Sequence, residues 1–193
     1  MKQWALALGA FCALAAASVA EAGTVHITSD SSQSTSGIGS YDGYLTYENQ
    51  AGWLFGRLTV SLTNTSDATN GGYLTGFAFN VDALAFSVLF NEPSGSEWQN
   101  LAGNSALTLN PYGRFEAGAS TSNRLTSNAN ANAGIGVGDT RDFEFAVIGL
   151  GLDQIDTDTF LTEGSSRTSN PQIFVARFGA FGEGGSDKVG ARI

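Results

Sequence analysis

The sequence predicts an all-β fold: an antiparallel β-sandwich of jelly-roll or Ig-like type with short helical insertions. Three observations lead there. About seven or eight short segments alternate apolar and polar residues at the two-residue period of a half-buried strand. The 193 residues include 25 glycines but 3 prolines, which suits many turns and no Pro-rich linker. Amphipathic helical spacing is almost absent, as are heptads and repeats of fixed period.

The first twenty-two residues read as a signal peptide and not as part of the fold. Lys2 supplies a positive start, Trp4 to Ala17 is apolar, and Ser18-Val19-Ala20 and Ala20-Glu21-Ala22 offer small residues before a cut. The apolar run is short for a membrane anchor and ends in Ala, Ser and Glu. Cys12 lies inside that run behind Phe11, which disfavours lipoprotein attachment. It is the single cysteine, so the mature chain has neither thiol nor disulfide and must be held by its core. A domain of about 170 residues is large enough, burying on the order of 70% of its extended surface.

Past the signal, 17 acidic residues stand against 8 basic ones, and Lys188 is the one lysine. Such a chain is a poor partner for nucleic acid or an anionic membrane. No second apolar run is long enough to span a bilayer, so no transmembrane segment is expected in the mature chain.

The domain is expected over 23–181, followed by a Gly-rich tail over 182–193. Thr24 to Thr28 alternates as a first strand, and Asp30 to Ser40 is a Ser/Thr/Gly-rich loop or arm. Tyr41 to Tyr47 is a second strand. Trp53 opens the central stretch to Val81, where Leu58, Val60 and Leu62 alternate with Thr59, Ser61 and Thr63. After the turn-prone residues Asn64 to Gly72, Tyr73, Thr75, Phe77, Phe79 and Val81 repeat the alternation. This stretch predicts a β-pair joined by its own turn.

Ala85 to Phe90 is a further strand, and a helical turn is expected at Glu97 to Leu101. Leu107 to Leu109 is a brief extended piece, and Asn110 to Asp139 an irregular crossing. Thr140 to Ile148 places Phe143, Phe145 and Val147 inside, with Asp142 and Glu144 outside. Asp153 to Glu163 reads as a short helical insertion, and Ile173 to Phe178 as the last strand.

Candidate chemistry is sparse. His26 is the lone histidine. With no G-x-S-x-G elbow and no second His or Cys to share a metal, a Ser-His-Asp triad and a zinc site are both excluded. The bland reading of His26 is a strand residue with a satisfied imidazole. Asp153, Asp156 and Asp158 lie close together and could offer oxygen ligands to calcium, the one cofactor left open. The EF-hand order fails there, and N-capping of a short helix by Asp156 or Asp158 is the competing reading. Glu92 and Glu97 flank a loop with Trp98, whose ring could stack on a sugar; the alternative is Trp98 folded back as a lid on the core. The hydroxyls of Thr59, Ser61, Thr63 and Ser29 to Ser40 read as solvated faces. Asn64-Thr65-Ser66 matches a glycosylation acceptor pattern of little weight in a bacterial protein.

LTVSLTNTSDATNGGYLTGFAFNV at Leu58 to Val81 resembles the body of exosortase-dependent, PEP-CTERM-type surface proteins of Gram-negative bacteria. PYGRFEAGAS at Pro111 to Ser120, NAGIGVGDT at Asn132 to Thr140 and FVARFGAFGEGGSDKV at Phe174 to Val189 follow in the same order. In such proteins a GGSDKV-like stretch precedes a Pro-Glu-Pro motif, an apolar helix and a basic tail. Here Val189 is followed by Gly190-Ala191-Arg192-Ile193 without that signal, which reads either as a truncated member or as a protein released rather than sorted, and no sorting role is carried to any residue. The resemblance implies export, secretion or cell-surface display, and association with extracellular polysaccharide or matrix, without catalytic residues. The expectation is therefore a non-enzymatic surface or matrix protein interacting with polysaccharide or neighbouring proteins. A carbohydrate-binding, lectin-like domain, calcium-assisted or not, is the alternative.

Overall fold

The computed structural model describes residues 23–50, 54–81, 85–91, 96–101, 107–125, 130–155, 157–158, 162, 164–182 and 184–192. The expected signal peptide, Trp53, Glu92 and Asp156 lie outside them. In chain order the strands are β1 (Gly23–Ser34), β2 (Tyr41–Asn49), β3 (Phe55–Asn64), β4 (Gly71–Phe79), β5 (Ala85–Phe90) and β6 (Gln99–Asn100). There follow β7 (Thr108–Leu109), β8 (Gly113–Arg114), β9 (Ala117–Ser120), β10 (Thr140–Gly149), β11 (Phe174–Phe181) and β12 (Asp187–Arg192).

Ten of these strands form one antiparallel sheet in the order β5-β10-β3-β2-β1-β12-β11-β4-β9-β6, and β7 pairs with β8 alone. The sheet curls until β5, at one edge, lies against β6 and β9 at the other. Pairing runs unbroken through the ten, so the all-β antiparallel expectation stands as a nearly closed barrel. The division of a sandwich into two sheets is not seen.

The inward faces meet across a solid aromatic core. Phe77 on β4 packs edge-on to Phe143 on β10 at 4.8 Å between ring centroids, and Phe79 likewise to Phe145 at 5.3 Å. Leu45, Leu58, Val60, Leu62 and Phe174 complete the wall. The alternation of β3 and β10 is realised as expected, with Leu58, Val60, Leu62, Phe143, Phe145 and Val147 buried.

Both central strands form, but not as the expected pair. β3 lies between β10 and β2, whereas β4 lies between β11 and β9. The turn-prone segment between them crosses the mouth of the barrel, anchored by Asn64. Its buried side-chain amide donates to the carbonyls of Gly72 (3.3 Å) and Ile135 (2.9 Å), while its oxygen accepts the Ser66 N–H. The same bonds leave no exposed amide for a glycan at this position.

A second departure is a β-bulge. Gly76 faces Arg177 and Leu74 faces Phe178, so Thr75 is the extra residue. A bulge shifts the alternation by one, which puts Leu74 in the core and leaves Tyr73 partly exposed.

Among the described residues there is no α-helix. The helical insertion expected over Asp153 to Glu163 is not seen among them; a 3-10 turn at Leu152–Gln154, entered through Gly151 at φ 76°, lies at its start, and another, Ala131–Ala133, lies in the stretch expected to be irregular. The expected helical turn at Glu97 to Leu101 is extended instead, because Gln99 and Asn100 pair with β9.

The residues expected to be a tail supply β12, which lies inside the sheet between β1 and β11. Its first residue, Asp187, is 1% exposed. The carboxylate accepts hydrogen bonds from the backbone N–H groups of Thr35, Ser36, Ile38, Gly39 and Lys188 at 2.8–3.0 Å. The hydroxyls of Ser34 and Thr35 add two more at 2.7 and 2.9 Å. The segment read as a flexible arm is thus wrapped around one buried charge.

A covering layer lies over β4 and β11. Leu101, Leu107, Leu109, Tyr112, Phe115 and Leu125 form a second apolar cluster with Ala78 and Val175, the outward residues of β4 and β11. Close approach explains the small residues beneath it: a Cβ on Gly76 would stand 2.7 Å from Leu125 Cδ1 and 2.9 Å from Ser120 Cβ. Tyr112 ties this layer to the sheet by donating its hydroxyl to the carbonyls of Gln33 and Lys188. Burial, with Asp187 nearby, pushes its pKa up to about 12.

Two predictions follow from these contacts. Burial pushes the Asp187 carboxyl up, but the bonds from Gly39, Ser34, Ile38 and Thr35 outweigh it and leave its pKa below the ordinary 3.8. A carboxyl depressed in the folded state stabilises fully above its unfolded pKa of about 3.9 and loses that contribution as pH falls through the folded value. Asp187→Ala should cost about 2–4 kcal/mol at pH 7. Urea unfolding of the wild type should weaken as pH falls below about 4; the variant should show a flatter profile over that range.

The second prediction compares two tyrosines. Tyr41 packs against Phe174 and Phe178, and its buried hydroxyl has no hydrogen-bond partner among the described residues. Tyr41→Phe should be neutral or stabilising, whereas Tyr112→Phe should cost about 1–2 kcal/mol in the same unfolding assay.

Candidate functional site

The covering layer leaves β1, β2, β3 and β10 with one open face, and the antiparallel register sets its side chains in rows. One row runs Thr24, Thr46, Thr59 and Glu144; the next runs His26, Tyr44, Ser61 and Asp142. A third carries Thr28, Asp42, Thr63 and Thr140. At the other end Glu48, Arg57 and Ala146 are neighbours, and β5 adds Leu89 beside Ala146. These side chains face outward because their neighbours along each strand, such as Leu45, Val60 and Phe143, fill the core.

Hydroxyls on this face are ordered by one another. Thr24 and Thr46 share a hydrogen bond of 2.9 Å, and Thr63 and Thr140 one of 2.7 Å. Tyr44, 47% exposed, stacks on His26 at 4.8 Å between centroids. His26 Nε2 lies 2.7 Å from Asp42 Oδ2, which satisfies the imidazole on its strand. Arg57 pairs with Glu48 at 2.5 Å, and that bond raises the guanidinium pKa.

Beside this row the sheet is hollowed into an open groove of about 340 Å³, lined by Gln50, Arg57, Leu89, Asn91, Glu144 and Ala146 among others. Phe55 and Leu150 extend the apolar character of this end, 48% and 44% exposed.

The candidates singled out in the sequence lie elsewhere. Trp98 is 0% exposed: its indole N–H donates to the Ala133 carbonyl at 3.0 Å, and its ring lies 4.5 Å from Phe143. The Arg141 guanidinium sits 5.5 Å from the ring centroid. Trp98 is therefore a lid on the core with no face to offer a sugar. Glu97 is exposed beside it, and Glu92 falls outside the described residues.

Asp153 and Asp158 are exposed, and Asp153 accepts a bond from the Gln154 amide at 3.1 Å. No group of three or more His, Cys, Asp or Glu side chains that could hold a metal ion occurs among the described residues. The two polar positions that matter most, Asp187 and the groove's Arg57, carry no signal in the sequence. Asp187 sits in a Gly-rich run that looks like a tail, and a single Arg on a strand carries no motif.

Two substitutions distinguish lid from face. Trp98→Ala should lower stability by about 3–5 kcal/mol, as a large core truncation does. Tyr44→Ala, on the open face, should stay within roughly 1 kcal/mol of wild type in chemical denaturation. No protein-family model, no curated protein and no solved structure matches the chain.

Proposed function

We propose that this chain is the body of an exported, non-enzymatic bacterial surface or matrix protein that meets extracellular polysaccharide through the open face of β1, β2, β3 and β10. The observation that carries this reading is the pair of hydroxyl-rich rows around Tyr44, on a sheet that is covered instead at β4 and β11. An array of hydroxyls, carboxylates and an exposed ring suits a polyhydroxylated polymer, which offers hydrogen-bonding groups at its edges and C–H groups on its ring faces.

Export is supported by the charged, apolar and small-residue order of residues 1–22, and by the likeness to PEP-CTERM-type bodies. The lectin-like alternative uses the same face; calcium assistance is not favoured by any cluster among the described residues.

Affinity electrophoresis of the full chain through gels cast with different polysaccharides tests the reading. Retardation by at least one polymer is expected, reduced several-fold by the double substitution Tyr44→Ala and Ser61→Ala and indifferent to chelator. Retardation unaffected by that variant, or release of reducing ends from the polymer, would overturn it.

A further inference from the structure

We infer that the groove between β3, β10 and β5 is a subsite for a sugar unit bearing a free amino group. This inference rests on the polysaccharide reading above and places one ring of the polymer at a named position.

The groove sets an apolar wall among convergent polar groups, and its 340 Å³ falls in the usual range of small-ligand sites, about 300–1,000 Å³. Leu89, 46% exposed on a strand whose neighbours Val88 and Phe90 are buried, forms the apolar wall with Ala146. A pyranose can lay its C–H face there. Around the wall stand Gln50, Asn91 and Glu144, whose side chains make no hydrogen bond with one another or with the rest of the described residues. Two amides and a carboxylate match ring hydroxyls, which both donate and accept.

Charge selects among sugars. Arg57 is the one cation lining the groove, and Glu48 already holds it. Glu144 also acts on the Arg57 guanidinium, so two carboxylates share one cation and the rim keeps a net negative charge, on a sheet face that also carries Asp42 and Asp142. With the chain at −9, a uronic acid or other anionic unit is repelled. An ammonium group on the ring would gain a charge-assisted bond from Glu144.

The experiment is a titration of the isotopically labelled full chain with three soluble oligosaccharides followed by amide chemical shifts. They are a fully deacetylated chitosan hexamer, cellohexaose and an oligouronate. The chitosan oligomer should shift Arg57, Leu89, Asn91 and Ala146, bind at least ten-fold more tightly than cellohexaose, and lose that advantage in Glu144→Gln. The oligouronate should leave the groove unshifted. Glu144 is exposed, so its variant keeps the fold, and Leu89→Ala supplies an independent loss of affinity for both binding sugars.

Shifts confined to Tyr44, Thr46 and Ser61 would overturn the groove while leaving the open-face reading intact. Groove shifts with all three oligomers at equal affinity would overturn the amino-sugar assignment. Silence at both places would overturn both.

Discussion

Asp187 is the charge around which the chain closes. It opens β12, the strand between β1 and β11, and so stands where the β5-β10-β3-β2-β1 half of the sheet is joined to the β11-β4-β9-β6 half. A carboxylate taken out of water is costly unless its lone pairs are filled, and here backbone N–H groups of the 35–39 segment fill them. The segment must adopt one conformation to do so, and that conformation carries the chain from β1 to β2. One residue therefore satisfies a loop, fixes the start of a central strand and holds the two halves of the barrel in register.

The covering layer makes the barrel asymmetric, and the asymmetry separates structure from surface. Where Ala78 and Val175 lie under Leu101, Leu109 and Phe115, the strands are buried on both faces and their outward positions are small or apolar. Where none of the described residues covers the sheet, outward positions are mainly Thr, Ser, Tyr and acidic residues. Strands buried on both sides lose their alternation, as central strands of enclosed sheets do. This is why β2, β3 and β10 alternate cleanly while β4 and β11 are nearly continuous in burial.

That difference also sets how far the fold was legible. Local period reports which residues face inward, so β3, β10 and the inner Phe143 and Phe145 could be read directly. It does not report partners: β3 and β4 look like a hairpin because a turn-prone run joins them, yet each pairs with strands distant in sequence. Nor does it foresee the extra residue at Thr75, a ladder irregularity set by pairing with β11. Trp98 and Asp187 were ambiguous for a related reason. A large ring near a loop and an acid in a Gly-rich run have the same composition whether they are exposed or buried. The open face was visible in part, as the hydroxyls of Thr59, Ser61 and Thr63. The groove was not, because Leu89, Arg57 and Glu144 come from three strands and meet only through sheet order.

The open face differs from an ordinary solvated sheet in how little freedom its side chains retain. Hydroxyl rotors are normally averaged over several orientations, and ordering them on binding opposes association. Here Thr24 with Thr46, and Thr63 with Thr140, are linked across strand pairs, His26 is held by Asp42, and Tyr44 rests on the imidazole. The β-barrel beneath fixes the spacing of these groups, since each belongs to a strand whose opposite face is locked in aromatic packing. A polymer meeting this surface encounters hydrogen-bonding groups already arranged in rows, so less of its binding free energy is lost to ordering the protein. If the polymer is the polysaccharide proposed above, weak contacts repeated along its sugar units would add up, because each successive unit would engage at the high effective concentration set by its neighbour.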